Sequence, residues 1–442
     1  MRAATVGPRA LSFAQERMWR LYQLEPTSAF YNCPMRVLLA GVLDVEALRR
    51  SISEIVRRHQ VLRARIVEVD GSPAQQVMDA DSHLRMIDLT AWGSVERTAE
   101  LERLADEEMQ RPFDLSQGPL LRTTLLQLSQ EEHVLLITMH HVVTDWWSFG
   151  IFLQELTLLY PAFATGHASP LPQPPVEYAD FAQWQRDWLQ GRLLEEQLTY
   201  WKRQLAGMPV CQLATDRPRP SVQTFRGAEQ PLALNKGLSD GLKTLGQQEG
   251  ATYFMVLLAA FQALLHRLTG QKDIGVASAI ANRNRSETQG LIGLFVNTLV
   301  MRTSLTGDPT FRELIRRVRE TAIEAYTHQD LPFEKLVEAL RPERTASTNP
   351  LAPLMFVLQN APAPAAHLPG LRLLPWTANT TRFDLEAHLW ETENATEGRL
   401  IYSTDLFDAQ TMARMAAHYE RLLEAVVADP DQRVSQLRMI GE

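Results

Sequence analysis

The chain has 442 residues, 45% of them hydrophobic and 22% charged, which is the composition of a soluble globular protein long enough for about two to three domains. Its net charge of −8 argues against a nucleic-acid partner, because nucleic-acid-binding domains concentrate Lys and Arg. The two cysteines, Cys33 and Cys211, exclude a disulfide framework and fit a reducing cytoplasm, and no apolar stretch reaches the roughly 18 residues of a membrane span.

Helical and strand-like patterns alternate along the chain, which predicts a mixed α/β fold. Apolar residues at intervals of three and four predict helices, with Asp44 as the N-cap of the first. The predicted helices cover residues 44–58, 149–159, 254–265, 311–318 and 408–427. Short apolar runs predict strands at residues 37–39, 122–128, 134–137, 274–279, 296–301, 354–358 and 400–403.

Proline-rich segments interrupt these patterns at residues 161–175, 209–220 and 361–375. The first segment is the best candidate for a linker, since Pro and Gly cluster where regular structure ends. It predicts an N-terminal lobe of residues 1–175 and a C-terminal lobe of residues 176–442. The other two segments are expected to be long ordered loops or crossovers, because long loops in compact domains usually carry function or bridge lobes.

Two adjacent histidines, His140 and His141, follow the apolar run at 134–137, and Asp145 lies four residues beyond the second. An apolar run of this kind predicts a buried strand. Histidines at its end would place an imidazole that titrates near neutral pH at the edge of a rigid element, a position suited to proton transfer. Two neighbouring residues on a strand face opposite sides, so one histidine at most would face a cleft. The alternative is that both are core residues bonded to the backbone.

Several other residues allow two interpretations each. Arg283 is either a surface residue or the partner that a buried Asp145 would require, because an unpaired buried charge is very costly. Asn297, inside an apolar strand, either serves a site or satisfies a backbone group. Residues 237–241 match the Gly-x-Ser-x-Gly nucleophile elbow, but their polar surroundings favour Ser239 as the N-cap of a surface helix. No metal-binding or nucleotide-binding motif is present.

Taken in chain order, seven segments resemble the motifs of the condensation domains of nonribosomal peptide synthetases. The double-histidine segment, residues 139–145, is similar to the active-site motif of that family. The seven segments are residues 11–19, 58–63, 139–145, 178–184, 292–298, 328–334 and 344–351. Gln60 stands where glutamate is usual in the second motif, and Trp146 stands where the active-site motif ends in glycine.

The resemblance implies an α/β (α+β) fold of two chloramphenicol acetyltransferase-like lobes in a V, with an active-site tunnel at the seam. It also implies that the domain works with partner domains and has no cofactor of its own. Upstream donor and downstream acceptor peptidyl carrier domains would deliver phosphopantetheine-tethered substrates, and the domain itself would hold no cofactor or metal. The reaction would be attack of an acceptor amine on a donor acyl or peptidyl thioester. An adenylation domain is the expected neighbour, and the chain is expected to be a cytoplasmic, monomeric piece of a larger synthetase.

The resemblance also implies residue roles. His141 would act as general base or orient the attacking amine, and His140 and Asp145 would be structural. Arg283 is the first candidate for an ion pair with Asp145, with Arg63 as the alternative. The residues expected to line the tunnel and contact substrate are Trp146, Trp147, Ser148 and Asn297.

Intact histidines and the presence of the sixth motif favour a condensing domain that takes an L-configured or achiral donor. Trp146 adds a large apolar side chain beside the expected reacting centre. It therefore keeps open an ester-forming or dehydrating condensation domain. A non-catalytic module that recruits carrier proteins or tailoring enzymes is a further alternative, and the intact His141 and Asp145 weigh against it.

Overall fold

The computed structural model describes residues 7–79, 83–341, 349, 351–359, 370–374, 379–393 and 395–439. The chain divides into two compact units. Unit 1 contains the described residues within Met1–Gln190, Ala281–Val296 and Ala361–Trp376, and unit 2 contains those within Gly191–Ile280, Asn297–Asn360 and Thr377–Glu442.

Unit 1 is built mainly from the first 190 residues. Its strands are β1 (Arg9–Ala10), β2 (Asn32–Ala40), β3 (Ala64–Val69), β4 (Ser72–Val77), β5 (Leu84–Asp88), β6 (Leu121–Gln127), β7 (Glu132–His140) and β12 (Leu371–Leu373). Its helices are α1 (Phe13–Leu24), α2 (Val45–Arg58), α3 (Ser94–Gln110), α4 (Trp146–Ala164), α5 (Tyr178–Trp188) and α9 (Ser286–Gln289), with 3₁₀ turns at Gln60–Arg63 and His141–Val143.

The five-stranded sheet of unit 1 has the order β12-β2-β7-β6-β5, which places β7 at its centre. Every residue of β7 after Glu132 is buried, so both faces of this strand are covered. Leu135 and Ile137 face a core that includes residues of α2 and α4, whereas Val134 and Leu136 face a smaller cluster against α3. A three-stranded antiparallel sheet, β1-β4-β3, completes the unit. The central strand therefore delivers its last residues from a rigid, buried element.

Unit 2 contains one larger sheet. Its strands are β8 (Gly227–Asn235), β9 (Asp273–Ile280), β10 (Asn297–Ser304), β11 (Leu354–Gln359), β13 (Leu385–Glu391) and β14 (Ala395–Ser403), in the order β10-β9-β11-β13-β14-β8. Its helices are α6 (Gly191–Leu205), α7 (Lys236–Gln248), α8 (Tyr253–Thr269), α10 (Phe311–Thr327), α11 (Phe333–Leu340) and α12 (Ala409–Ala428), and Val434–Gln436 is a 3₁₀ turn.

Helix α8 is the core helix of unit 2. It begins at the capping box of Thr252 and ends at Gly270, whose φ of 72° is the left-handed conformation that glycine adopts without a steric penalty. All residues from Met255 to Leu265 are buried, which explains the nearly continuous apolar sequence of this helix. Among the described residues no single helix is long and apolar enough to span a membrane; one bent pair, α7 and α8, meets the length and composition criteria together, with 103° between the helices.

The predicted elements agree with the structure at long, strongly patterned segments. Helix α2 begins after Asp44, whose side chain accepts the N–H of Ala47 at 2.9 Å as a helix cap. The position of Ser239 differs from the prediction. Helix α7 is capped by Asn235, and Ser239 is buried inside it with its hydroxyl 3.1 Å from that of Thr396. This seryl group is therefore part of the packing of unit 2.

The boundary expected after residue 175 also differs from the observed division, because α5 belongs to unit 1. The hydroxyl groups of Ser12 and Tyr178 lie 2.9 Å apart, and Arg9 forms an ion pair with Asp180 at 2.9 Å. Residues 281–296 return to unit 1 as well. Only part of the expected proline-rich loop at 361–375 and of the seventh motif at 344–351 is described; residues 361–369, 375, 344–348 and 350 lie outside the described residues.

Candidate active site

The two histidines occupy different elements. Strand β7 ends at His140, and His141 begins the 3₁₀ turn, so the expectation that both lie on the strand is wrong. The backbone N–H of His141 donates to the carbonyl of Tyr31 at 2.8 Å. The rings of Tyr31 and His141 stack with centroids 6.4 Å apart. The turn thus holds the His141 backbone against the segment before β2.

The imidazole of His141 is oriented by its own turn. Its Nδ1 lies 2.7 Å from the carbonyl oxygen of Thr144. Because a carbonyl only accepts hydrogen bonds, Nδ1 carries the proton of this bond, and in the neutral ring Nε2 carries the lone pair. His141 is half-buried. This arrangement presents Nε2 as a hydrogen-bond acceptor or a base.

His140 has an internal environment. It is 4% exposed, and its Nδ1 accepts the backbone N–H of Val142 at 3.1 Å. The ring of Phe113 meets it edge-on at 6.0 Å, and that of Tyr31 is tilted against it at 6.3 Å. His140 thus caps the turn that carries His141, and its ring packs against Phe113 and Tyr31.

Asp145 joins the active-site turn to two other segments. It is the N-cap of α4, since its Oδ1 accepts the backbone N–H of Ser148 at 2.9 Å. Its Oδ2 accepts the backbone N–H groups of Phe295 at 3.0 Å and Val296 at 3.3 Å. Arg283 lies 3.1 Å away through Nη2, and both side chains are buried. We call Asp145, Ser148 and Arg283 the aspartate clamp.

Arg283 ties the clamp to the loop that follows β9. Its Nη1 donates to the carbonyl oxygens of Thr288 and Leu291, at 2.6 Å each, and its Nη2 to the hydroxyl of Ser148 at 2.9 Å. Burial lowers the pKa of the guanidinium, and the charge of Asp145 opposes that shift. The preceding residue, Asn282, has a left-handed φ of 52°, which turns the chain at this point. The clamp thus holds residues 281–296 in unit 1.

Comparison with known proteins identifies the family. The family model described as the condensation domain matches residues 7–442. The chain belongs to the condensation-domain family. The related sequences are peptide synthetases, so the prediction of a nonribosomal peptide synthetase condensation domain is confirmed. The predicted fold class is confirmed as the mixed α/β condensation-domain fold.

Two related sequences are subunits C and B of linear gramicidin synthase from Brevibacillus parabrevis. They are 48% and 49% identical over 438 residues, which is 98% of this chain. The chain spans only 6% and 8% of the lengths of these relatives. The phosphinothricin tripeptide synthetase PhsC of Streptomyces viridochromogenes is 40% identical over 98% of the chain, which spans 40% of that protein.

Solved structures are similar across the whole chain. The X-domain from teicoplanin biosynthesis has a TM-score of 0.89 and 30% identity, and 99% of each chain is covered. The first condensation domain of the calcium-dependent antibiotic synthetase has a TM-score of 0.81 at 22% identity, with 98% of this chain and 100% of the other covered. The second comparison shows a common fold alone.

Within this condensation domain, two residues expected to contact substrate have internal roles. Ser148 is 0% exposed, and its hydroxyl is bonded within the aspartate clamp and to the carbonyl of Gly293 at 2.9 Å. The amide of Asn297 is buried; it donates to the carbonyls of Gln329 and Leu331 at 2.9 Å each, and it accepts the N–H of Phe333 at 3.0 Å. Ser148 has no accessible surface, and the amide of Asn297 is fully hydrogen-bonded, so both side chains hold local structure.

The two tryptophans after Asp145 differ in environment. Trp147 is half-buried; its Nε1 donates to the carbonyl of Gln289 at 3.0 Å, and its ring lies 5.7 Å from the guanidinium carbon of Arg283. Trp146 is 55% exposed and contacts Phe149 with ring centroids 6.3 Å apart. Trp147 thus packs beside the aspartate clamp. More than half of the surface of Trp146 is exposed.

Arg63, the alternative candidate for the ion pair with Asp145, has a different partner. Its Nη1 donates to the carbonyl of Met78 at 2.7 Å, and Arg283 is the arginine that contacts Asp145. Among the described residues no group of three or more His, Cys, Asp or Glu side chains is placed to hold a metal ion.

The sequence analysis did not predict a buried charge network in unit 1. Glu155 of α4 pairs with Arg58 at 2.8 Å and with Nε2 of His59 at 3.0 Å, and Nδ1 of His59 lies 3.4 Å from the backbone N of Ile292. Burial alone would raise the pKa of Glu155, but its bonds to His59 and Arg58 lower it. A charged residue inside the apolar helix pattern of α4 was the signal for this network.

Proposed function

We propose that this condensation domain forms an amide bond between two carrier-bound substrates. The amine nitrogen of the acceptor attacks the thioester carbonyl of the donor, and a tetrahedral intermediate forms. The carbon–sulfur bond then breaks, the donor phosphopantetheine leaves as a thiol, and the nitrogen loses one proton. The substrates arrive on peptidyl carrier domains, so the domain needs no cofactor of its own. The domain would act in the cytoplasm beside an adenylation domain.

The observation that supports this proposal is the hydrogen bond from Nδ1 of His141 to the carbonyl of Thr144. The bond fixes one tautomer and leaves the lone pair on Nε2. In the proposed step Nε2 accepts the proton of the attacking amine, or orients the neutral amine, and the proton passes to the leaving sulfur. Positioned proton transfer contributes about 10²- to 10⁴-fold in rate. Alignment of the two substrates would supply the remaining acceleration.

The aspartate clamp fits a supporting role in this mechanism. Asp145 caps α4 immediately after the turn that holds His141, and its other oxygen binds the N–H groups of Phe295 and Val296. Both oxygens of this carboxylate are therefore already engaged within the protein. We therefore assign Asp145 and Arg283 to positioning, and His141 alone to catalysis.

The position of Trp146 supports a role in substrate selection. The exposed indole of Trp146 stands at the first residue of α4, directly after Asp145. We propose that it restricts the approach of one substrate toward His141. The donor is proposed to be L-configured or achiral, as the intact motifs indicate.

A panel of acceptors tests the reaction type. Donor and acceptor carriers loaded with defined substrates are mixed with the protein for a single turnover, and products are identified by mass. An amine acceptor should give a product stable to mild base. A product obtained only with a hydroxyl acceptor and cleaved by base would identify ester formation, and a product lighter by one water molecule would identify dehydration.

A recruitment role is the second candidate. The X-domain of teicoplanin biosynthesis, which is similar to this chain at 29% identity and a TM-score of 0.89, has been solved in a complex with OxyB. If this chain had such a role, the loaded carriers would bind to it and no product would form with any acceptor. A product that depends on His141 would exclude this candidate.

A further inference from the structure

The turn that carries His141 is bonded to a buried glutamine of helix α1. Nε2 of Gln15 donates to the backbone carbonyl of Val142 at 3.3 Å. Val142 is completely buried, and Gln15 is 2% exposed. Gln15 lies within the first of the seven motifs, but the proposed mechanism gives it no role. Its side chain therefore joins α1 directly to the 3₁₀ turn of unit 1.

The orientation of the Gln15 amide is fixed by its other contacts. A backbone N–H only donates, and that of Ser12 lies 3.1 Å from Oε1, so Oε1 is the acceptor and Nε2 the donor. Oε1 also accepts from Nε2 of Gln75 at 3.4 Å, and Gln75 donates to the carbonyl of Ala10 at 2.9 Å. The bond to Ser12 is half of the capping box that begins α1. The N–H that reaches Val142 thus comes from a side chain held in one orientation.

Both backbone polar groups of Val142 are bonded to side chains. Its N–H donates to Nδ1 of His140 at 3.1 Å, and its carbonyl accepts from Gln15. Among the described residues, no backbone N–H donates to that carbonyl. A buried carbonyl without a donor is costly, so the bond from Gln15 stabilises this one arrangement of the turn. His140 and Gln15 together fix the peptide planes on either side of Val142.

These peptide planes determine where the imidazole of His141 points. The turn closes through two bonds between its ends. The N–H of Thr144 donates to the carbonyl of His141 at 3.3 Å, and Nδ1 of His141 lies 2.7 Å from the carbonyl of Thr144. Val142 and Val143 are the two residues between these ends. A rotation of the peptide that joins them would move the Thr144 carbonyl away from the ring, and the bond from Gln15 opposes that rotation.

We propose that Gln15 is a positioning residue for the condensation step. Its Nε2 holds the carbonyl of Val142 and thereby keeps the imidazole of His141 in the tautomer and orientation that present Nε2 to the substrate amine. This inference rests on the proposed function, because it gives Gln15 a part in the step that His141 performs. Gln15 acts through the turn and transfers no proton itself.

The test compares Gln15→Met, which keeps the length of the side chain and removes its amide, with Gln185→Met. Gln185 is the matched control, because it is also buried and its Oε1 accepts the backbone N–H of Phe13, in the first turn of α1, at 3.3 Å. The single-turnover rate constant for amide formation should fall by about 10- to 100-fold in Gln15→Met, the loss expected when a reacting group is displaced by about 1 Å. Gln185→Met should keep the rate constant of the parent.

The tautomer of His141 separates positioning from a simple loss of stability. The histidine ring nitrogens are isotope-labelled, those of His141 are assigned by their absence in His141→Ala, and NMR shifts report which nitrogen carries the proton. At a pH at which the ring is neutral, Nδ1 should carry it in the parent and in Gln185→Met. In Gln15→Met the shifts should move toward those of a mixture of tautomers. This measurement needs no turnover, so it tests the inference even if the proposed function fails.

A folded Gln15→Met variant with the ring shifts of the parent would overturn the inference, whatever its rate constant and Tm. Changed ring shifts with the rate constant of the parent would support the positioning of the ring and refute instead the catalytic role of His141. If Gln15→Met fails to fold, as judged by thermal melting, Gln15→Asn replaces it. Its amide is one methylene too short to reach both Ser12 and Val142, so the same two outcomes apply.

Discussion

Nη2 of Arg283 lies 3.1 Å from Oδ1 of Asp145, and the two side chains are buried to 1% and 4% exposure. The residues are 138 positions apart in the sequence, yet they join the start of α4 to the loop that follows β9. Asp145 also receives the backbone N–H groups of Phe295 and Val296. One carboxylate thus fixes the segment after His141 relative to a distant loop of the same unit.

Asp145→Ala should lower the thermal stability of the protein. The substitution leaves the guanidinium of Arg283 buried without its counter-charge, which typically costs about 3–5 kcal/mol. It also removes the cap of α4, which contributes about 1 kcal/mol. Unfolding followed by circular dichroism measures the loss, and Asp187→Ala, at an exposed aspartate of α5, is the matched control. A stability equal to that of the control would show that the clamp does not hold the fold.

His140→Ala should reduce stability and solubility. The side chain is 4% exposed and supports the turn through the backbone N–H of Val142. Removal of a buried ring leaves a cavity and an unsatisfied donor, which together cost about 2–4 kcal/mol. Chemical denaturation measures the change. His141→Ala, at the half-buried neighbour, should cost much less, and equal losses for the two variants would contradict the assignment of separate roles.

Trp146→Gly should change the use of substrates more than it changes stability. The indole is 55% exposed, so its loss removes less buried apolar surface than the loss of a core tryptophan would. We expect a change in the acceptor that is used or in its KM, measured with a panel of loaded acceptor carriers. Trp92→Gly, at a tryptophan 45% exposed near α3, is the control for the loss of an exposed indole. A lower Tm with an unchanged substrate profile would show that Trp146 serves packing.

Glu177→Gln should stabilise the protein at alkaline pH. Burial raises the pKa of Glu177 from 4.5 to about 7, and the charge of Asp180 adds to the effect. Below about pH 4.5 the carboxyl is protonated in both the folded and the unfolded states. Between pH 4.5 and 7 the folded state keeps a proton that the unfolded state has lost, so this contribution to stability is lost as pH rises through 7.

The variant has no charge to bury and should exceed the parent in stability at pH 8 by about 1–2 kcal/mol, after allowance for solvent screening. At pH 4 the two proteins should differ little. Tm values across this pH range provide the check, with Glu195→Gln on α6 as control. A difference that is the same at pH 4 and pH 8 would exclude titration of Glu177 as its cause.

The sequence predicted the central features of this protein because their signals are local. The apolar run of β7 and the spacing of α2 identify buried elements without a structure, and the order of seven motifs identifies the family. The turn at His141 was not predicted, because the strand pattern continues up to the first histidine and the partner of its imidazole is a backbone carbonyl, that of Thr144, which no side-chain pattern marks. The return of residues 281–296 to unit 1 depends on contacts with Asp145, which no local pattern encodes.

A contact within one strand was equally hidden. Glu386 and His388 lie two residues apart on β13, a strand that was not predicted. Ser148 was expected to contact substrate. Its burial reflects the geometry of the helix start, where a small hydroxyl side chain packs against the capping aspartate.

The rate of amide formation in a single turnover, compared between the protein and His141→Ala, tests the central claim most directly. Donor and acceptor carriers are loaded in advance, so the measured rate constant reports the condensation step and not the loading. The account predicts that His141→Ala folds normally and loses about 10²- to 10⁴-fold in this rate constant, whereas His418→Ala retains it. A folded His141→Ala variant that forms the amide at the rate of the parent protein would contradict the role assigned to His141.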